Sequence, residues 1–206
     1  VKNISINHEL IIVDDHSCDG TRGILKKYIN NENIKVLFHE KNFGKGHAIR
    51  TGLTVVDGNV VAIQDADLEY DPQDLRELVK PFLMDTARVV YGSRRLNPEN
   101  KKSAGVLFFF GGVMVTYLSR LLFNIRITDE ATCYKLIETT LIKSLDLKCE
   151  RFEFCPEVTA KIAKLKIPIV EIPISYVPRS KSGGKKICWR DGVEAVWTLI
   201  RYRLKD

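Results

Sequence analysis

The segment Val60-Val61-Ala62-Ile63-Gln64-Asp65-Ala66-Asp67 is an apolar run that ends in two carboxylates one residue apart. On an extended backbone residues i and i+2 point to the same side, so Asp65 and Asp67 are spaced to share one hard cation, Mg²⁺ or Mn²⁺, through oxygen donors. Such a cation would in turn hold a diphosphate. Aspartates also end strands because they make turns, and the spacing alone leaves both readings open. A second apolar run, His8 to Val13, ends in Asp14-Asp15-His16-Ser17-Cys18-Asp19-Gly20-Thr21. Acidic and hydroxyl groups thus stand at the ends of two strands, the place where ligands gather in open α/β sheets.

These groups need a scaffold of alternating strands and helices, and the sequence supplies the pattern. Strand-like runs near 9–14, 34–38, 60–65 and 88–92 alternate with helix-like segments at 20–30, 45–56 and 72–84. This predicts βαβ units and a mostly parallel central sheet flanked by helices. Asp71-Pro72 opens the third helix with a capping residue and a proline in the first turn. A polar linker, Asn97 to Lys102, leads to a long apolar helix ending near Phe123. A short strand around 133–137, helices near 138–146 and 156–165, and an alternating strand over 167–177 follow. Ser180 to Gly184 reads as a flexible loop. Val193, Val196, Trp197, Ile200 and Leu204 then give a last helix, 190–204, one apolar face. No repeat or linker divides the chain, so residues 1–206 read as one domain.

At 206 residues, 45% hydrophobic and 28% charged, the chain has the composition of a globular protein with a sizeable core. Its five cysteines lack paired spacing, which argues for free thiols in a reducing compartment and against a disulfide framework or a zinc site. The net charge of +6 is concentrated at the C-terminal end, where residues 176–206 carry eight Lys or Arg against three Asp or Glu. A basic end suits a phosphorylated ligand or an anionic lipid surface; without interleaved aromatic and basic residues, no nucleic-acid partner is expected. No apolar run reaches the ~20 residues that span a bilayer. The uncharged stretch Ala104 to Leu118 reads as a buried helix or as a segment lying in a membrane interface.

Five stretches in order carry a family resemblance: Val13 to Thr21, Asn42-Phe43-Gly44-Lys45-Gly46, Gln64-Asp65-Ala66-Asp67, Tyr91-Gly92-Ser93-Arg94, and Thr128-Asp129-Glu130-Ala131-Thr132-Cys133-Tyr134-Lys135. Together they resemble the family 2 inverting glycosyltransferases, in the branch of dolichyl-phosphate mannose synthases and polyprenyl-phosphate glycosyltransferases. The resemblance implies a GT-A, Rossmann-like fold and a UDP- or GDP-sugar donor with Mg²⁺ or Mn²⁺. It also implies a polyprenyl or dolichyl phosphate acceptor at the cytoplasmic, inner face of a membrane, in cell-envelope glycan synthesis. By matching position, Asp15 would meet the nucleobase or ribose with Asp14 and Ser17 beside it. Asp65 and Asp67 would hold the metal-diphosphate and Glu69 would complete the metal shell. Arg94 would face phosphate near the acceptor, and Arg179, Lys185 and Lys186 would lie in a loop folding over the diphosphate. Relatives begin with a strand and a nucleobase-contacting segment that this chain starts after, so a truncated domain lacking the first strand is expected. Cys155 stands where relatives often carry an acid.

Inverting transfer needs in-line attack at the anomeric carbon and stabilisation of a departing nucleoside diphosphate. A phosphate acceptor is already anionic near neutral pH and needs no strong base, whereas a hydroxyl acceptor needs a carboxylate to take its proton. Asp129 is the candidate for that catalytic or acceptor-orienting role, against the plainer reading of a helix or turn cap. Lys45 is placed to reach the donor, while Gly44 and Gly46 read as a strand-to-helix turn. His16 and His47 read as surface or loop histidines, and Trp189 and Trp197 as packing or interface anchors. Three readings stand: hexosyl transfer, of glucose or mannose, to a lipid phosphate; the same chemistry on a saccharide or other hydroxyl; and a non-catalytic sugar-nucleotide-binding module.

Overall fold

The computed structural model describes residues 6–102, 106–178 and 189–205. Two parallel strands open the chain: β1 (Leu10–Asp14) pairs with β2 (Ile34–Phe38), joined through the short helix α1 (Thr21–Leu25). α2 (Lys45–Leu53) packs back on β1, with the Gly52 backbone close to Val13 and Ile11. A second sheet has the order β3-β5-β4-β6, from β3 (Val60–Ala62), β4 (Val89–Ser93), β5 (Lys135–Glu138) and β6 (Val170–Pro173).

That sheet is mixed. β4 and β6 run parallel, but β5 enters between β3 and β4 and is antiparallel to both. Parallel pairing therefore holds for β1 with β2 and for β4 with β6, where helices connect the strands. β5 departs because it arrives through the irregular stretch 124–134 after α4 (Val106–Phe123), which returns the chain from the other direction. The central position of β4 explains its unbroken apolar character. Val89, Val90 and Tyr91 are fully buried, as are Ile137 of β5 and Leu78 of α3 (Leu75–Leu83). Each such side chain stabilises the fold by about 1.5–3 kcal/mol relative to exposure. Asp71 accepts a hydrogen bond from the Gln73 backbone and Pro72 follows it, as their order predicts.

Helices α5 (Thr139–Ser144), α6 (Phe154–Lys164) and α7 (Trp189–Leu204) complete the molecule. α4, α6 and α7 pack together around Val115, Ala160 and Leu199. Glu157 of α6 fastens this layer: its buried carboxylate accepts from the Lys148 and Cys149 backbones (2.8 and 2.7 Å), from Tyr202 of α7 (2.7 Å) and from Lys161 (2.7 Å).

The segment 149–151 then crosses the start of α2, where Gly46 and His47 donate to the Arg151 and Glu150 carbonyls (both 3.0 Å). This crossing is why Gly44 and Gly46 are glycines. A Cβ on Gly44 would lie 2.5 Å from the Glu150 oxygen, and its φ of +97° is itself hostile to a side chain. Gly44→Ala is expected to cost about 2–4 kcal/mol by overpacking and backbone strain, read as a lowered midpoint in urea unfolding.

Candidate active site

Asp14, at the end of β1, is fully buried. It accepts from the Ser17 backbone (3.2 Å) and from Arg22 Nε (2.9 Å), and Arg22 also donates to the His39 carbonyl. Burial would raise its carboxyl pKa, but the Ser17 and Arg22 hydrogen bonds outweigh this and hold it below the ordinary range. Enclosed and paired, Asp14 braces the loop that follows. Ser17, half-buried, is part of that brace through its backbone.

Asp15 faces the other way and gathers the Asn42–Gly44 turn. Its carboxylate accepts from the Phe43 and Gly44 backbones (2.9 and 2.7 Å) and lies 2.8 Å from His39 Nδ1, while its carbonyl accepts from Asn42 (3.1 Å). Burial opposes its ionisation, and these bonds more than restore it. Asp15 thus fixes the residue before Lys45. His39, which sequence reading passed over, continues the chain to Thr51 Oγ1 at 2.9 Å.

Lys45 begins α2 and reaches across to Asp65, Nζ to carboxylate 2.7 Å, with the Cys133 sulfur 4.0 Å away. Burial disfavours its ammonium, yet the negative surroundings, with Asp65 in contact, outweigh that and keep it charged. Burial pushes the Cys133 thiol well up, leaving it protonated. The fold thus brings together Lys45 and Asp65, two residues that the sequence reading singled out separately.

The strand predicted over 60–65 ends at Ala62, and residues 66–69 form a turn in which Leu68 has φ +62°. The same-side argument for Asp65 and Asp67 assumed an extended chain and does not apply. Asp67 remains half-buried in the turn, with one oxygen accepting from the Glu69 backbone (3.1 Å). Glu69 is drawn inward, where it accepts from Tyr176 Oη (3.3 Å). Among the described residues no three His, Cys, Asp or Glu side chains converge on one point. Glu69 is turned to Tyr176 in this structure, which leaves Asp65 and Asp67 as the carboxylates whose spacing suits a hard cation.

At the end of β4, Arg94 grips Asp129 through a two-pronged bridge, Nε and Nη2 each 2.7 Å from a carboxylate oxygen, with the Arg94 backbone adding a third bond at 3.0 Å. The Asp129 side chain is 0% exposed and that of Arg94 22%. Burial would raise the Asp129 carboxyl, but the Arg94 guanidinium outweighs this and holds it low. A buried, doubly bonded carboxylate of low pKa is a poor proton acceptor. Asp129 is accordingly a residue that positions Arg94.

Tyr176 joins the two halves. Its ring lies 5.1 Å under the Arg94 guanidinium and 5.5 Å from the Tyr70 ring, and its hydroxyl meets Glu69 beside the Asp67 turn. β6 also contributes Glu171, whose carboxylate accepts from the Thr128 and Asp129 backbones (2.7 and 3.0 Å). Sequence reasoning missed Tyr176 and Glu171. The available signal was an acid in the middle of the apolar run Ile167 to Ile174. Arg179, Lys185 and Lys186 lie outside the described residues.

The model of glycosyl transferase family 2 matches residues 1–144. The chain belongs to that family. It is 30% identical to a UDP-N-acetylglucosamine–dolichyl-phosphate N-acetylglucosaminyltransferase of Methanococcus voltae, over 82% of this chain and 74% of that protein. It is 24% identical to a dolichyl-phosphate β-glucosyltransferase of Dictyostelium discoideum, over 99% of this chain and 65% of that protein. Among solved structures, glucosyl-3-phosphoglycerate synthase of Mycobacterium tuberculosis superimposes with a TM-score of 0.71 at 17% identity, covering 94% of this chain and 69% of its own. The same synthase crystallised with Mn²⁺, UDP-glucose and phosphoglyceric acid gives 0.65 at 19% identity, over 95% of this chain and 68% of its own. The family 2 glycosyltransferase thus has the GT-A fold that the five stretches imply, with a mixed central sheet.

Proposed function

We propose that this family 2 glycosyltransferase moves a hexose from a UDP- or GDP-sugar to a polyprenyl or dolichyl phosphate, with inversion and with a divalent cation. The observation that carries this reading is the closed Arg94–Asp129 bridge. It offers a fixed cation at the site and withholds the nearest carboxylate from base duty. An acceptor already anionic matches that arrangement; a hydroxyl acceptor, which must lose a proton, does not. The Methanococcus voltae and Dictyostelium discoideum relatives carry dolichyl phosphate in their names, with two different sugars, so they support the acceptor class more than the sugar.

Asp65 and Asp67 would hold Mg²⁺ or Mn²⁺, which when bound supplies positive charge to a leaving diphosphate. Lys45, held by Asp65 and backed by the Asp15–Gly44 contacts, brings a second positive charge to the same place. Arg94, pinned by Asp129, orients an acceptor phosphate, since a guanidinium has donors left after a two-pronged bridge. Tyr70 and Tyr176 keep these groups in one frame. Arg179, Lys185 and Lys186 are proposed to close over the diphosphate.

A lipid acceptor calls for contact with a membrane surface, and exposed apolar side chains on α4 and α7 would suit it. Met114, Tyr117 and Leu121 of α4 and Val193, Trp197 and Leu204 of α7 are exposed at helical spacing on two packed helices. Arg190, Arg201 and Arg203 accompany them on α7. No described helix is long and apolar enough to cross a membrane. Trp197→Ala is expected to weaken sedimentation with anionic vesicles by about tenfold while leaving the unfolding midpoint unchanged.

The deciding experiment incubates the full-length protein with Mg²⁺ or Mn²⁺, a panel of UDP- and GDP-sugars and a short polyprenyl phosphate, and follows glycolipid formation. Metal-dependent product supports the reading and names the donor. Transfer to soluble saccharides with none to the lipid phosphate would replace it with the hydroxyl-acceptor chemistry. Donor binding without any turnover would point to a binding module.

A further inference from the structure

Tyr176 and Glu171, which sequence reasoning missed, are not equivalent: Glu171 lies in β6, Tyr176 beyond its end. Tyr176 touches Arg94 itself, whereas Glu171 touches the Thr128–Asp129 stretch that holds Arg94. Glu171 lies beside Tyr91 in the parallel β4–β6 register, three residues before Arg94. Its carboxylate spans two successive backbone N–H groups, those of Thr128 and Asp129 (2.7 and 3.0 Å). The Thr128 hydroxyl meets that of Ser93 at 2.6 Å, so the same loop is tied to β4 at its start. Asp129 then closes on the Arg94 backbone and guanidinium.

The geometry points to Glu171 as a positioning residue for the acceptor phosphate: it fixes the Thr128–Asp129 backbone, which fixes the Asp129 carboxylate, which aims Arg94. The inference rests on Arg94 facing that phosphate. Two features separate it from simple strand pinning. β4 and β6 are already paired by their backbone ladder from Val90 to Ser93, so the sheet does not need Glu171. And burying a carboxylate here is unfavourable: desolvation keeps its pKa raised even with both backbone donors and Thr128 in place. A half-buried strand position filled by an acid at that cost serves the loop it grips.

The consequence is a coupling between Glu171 and Arg94 across a residue that neither replaces. Glu171→Gln keeps the shape but puts an amide against one of the two backbone N–H donors. In the full-length enzyme it is expected to lower kcat/KM for a short polyprenyl phosphate by at least about tenfold, because small misplacements of an orienting group are costly. Affinity for the sugar nucleotide, measured by calorimetry, is expected to stay unchanged. In an Arg94→Ala background the same substitution is expected to cost less than about twofold, since nothing remains to be aimed.

An equal loss in both backgrounds, or a matching loss of sugar-nucleotide affinity, overturns the inference. So does a silent Glu171→Gln beside a damaging Arg94→Ala, which leaves the Arg94 reading standing. An Arg94→Ala enzyme with unchanged transfer to lipid phosphate sinks that reading, and the inference with it. Should Glu171→Gln fail to fold, Glu171→Asp is read against the same four outcomes, because the shortened side chain keeps its charge but cannot span both N–H groups.

Discussion

Asp129→Ala is expected to destabilise the protein by about 3–5 kcal/mol and, where the fold survives, to cut transfer to a lipid phosphate by about 10²-fold. The stability loss follows from what is left behind. Asp129 is enclosed, and its removal strands a largely buried guanidinium whose charge the carboxylate had balanced through two side-chain bonds. The activity loss follows because Arg94 is then free to leave the direction that Asp129 imposes. Urea unfolding reads the first effect and glycolipid formation at saturating donor reads the second; donor affinity is expected to hold. The bridge also fixes the sign of the pH response. Asp129 has a folded pKa below its unfolded value of about 3.9, so its stabilisation is complete above that value and disappears as pH falls through the folded pKa. Asp14 and Asp15 are lowered as well and act in the same direction. The protein should therefore lose stability in the acid range below about pH 4, and Asp129→Asn should make that acid limb shallower. An acid limb of unchanged slope in Asp129→Asn would show that the bridge is not the linked group.

Much of this was legible in the chain because the elements that matter are locally consistent. β1, β2, β4, α4 and α7 follow from apolar runs and helical spacing, and Gly44-Lys45-Gly46 marks a turn whose lysine does reach Asp65. What was not legible depends on partners far away in sequence. β3 stops at Ala62 and the chain turns at 66–69, so the apolar run alone carried the strand three residues too far. Asp14 looks identical to Asp15 as a letter, yet Arg22 takes one inward and the 42–44 turn takes the other. The direction of β5 is set by how residues 124–134 bring the chain back, which leaves no trace in local composition. Glu69 and Glu171 are claimed by distant partners for the same reason: Tyr176 lies 107 residues from Glu69, and the Thr128 and Asp129 backbones lie 43 and 42 residues from Glu171.

Asp67→Ala is expected to lower kcat/KM by about 10³-fold, and Glu69→Gln by less than about tenfold, although only Leu68 separates them. Removing a carboxylate that holds the cation forfeits several kcal/mol of charge stabilisation at the leaving diphosphate, and each 1.36 kcal/mol is about a factor of ten. Mg²⁺ needs few protein ligands when substrate phosphates and waters complete its shell, so two carboxylates suffice. Glu69 is spent elsewhere: it accepts from Tyr176 in a buried setting, and Gln can keep that bond. Chelation should abolish turnover by the parent enzyme, and Mn²⁺ or Mg²⁺ should restore it; Asp67→Ala should need far more metal for any recovery. The comparison is decisive because the three-carboxylate arrangement makes the opposite forecast. If Glu69→Gln fell as far as Asp67→Ala and shared its metal dependence, the turn would have to reopen on binding, swinging Glu69 away from Tyr176. That motion would also release the ring under Arg94, so the donor and acceptor halves of the site would be coupled through one tyrosine.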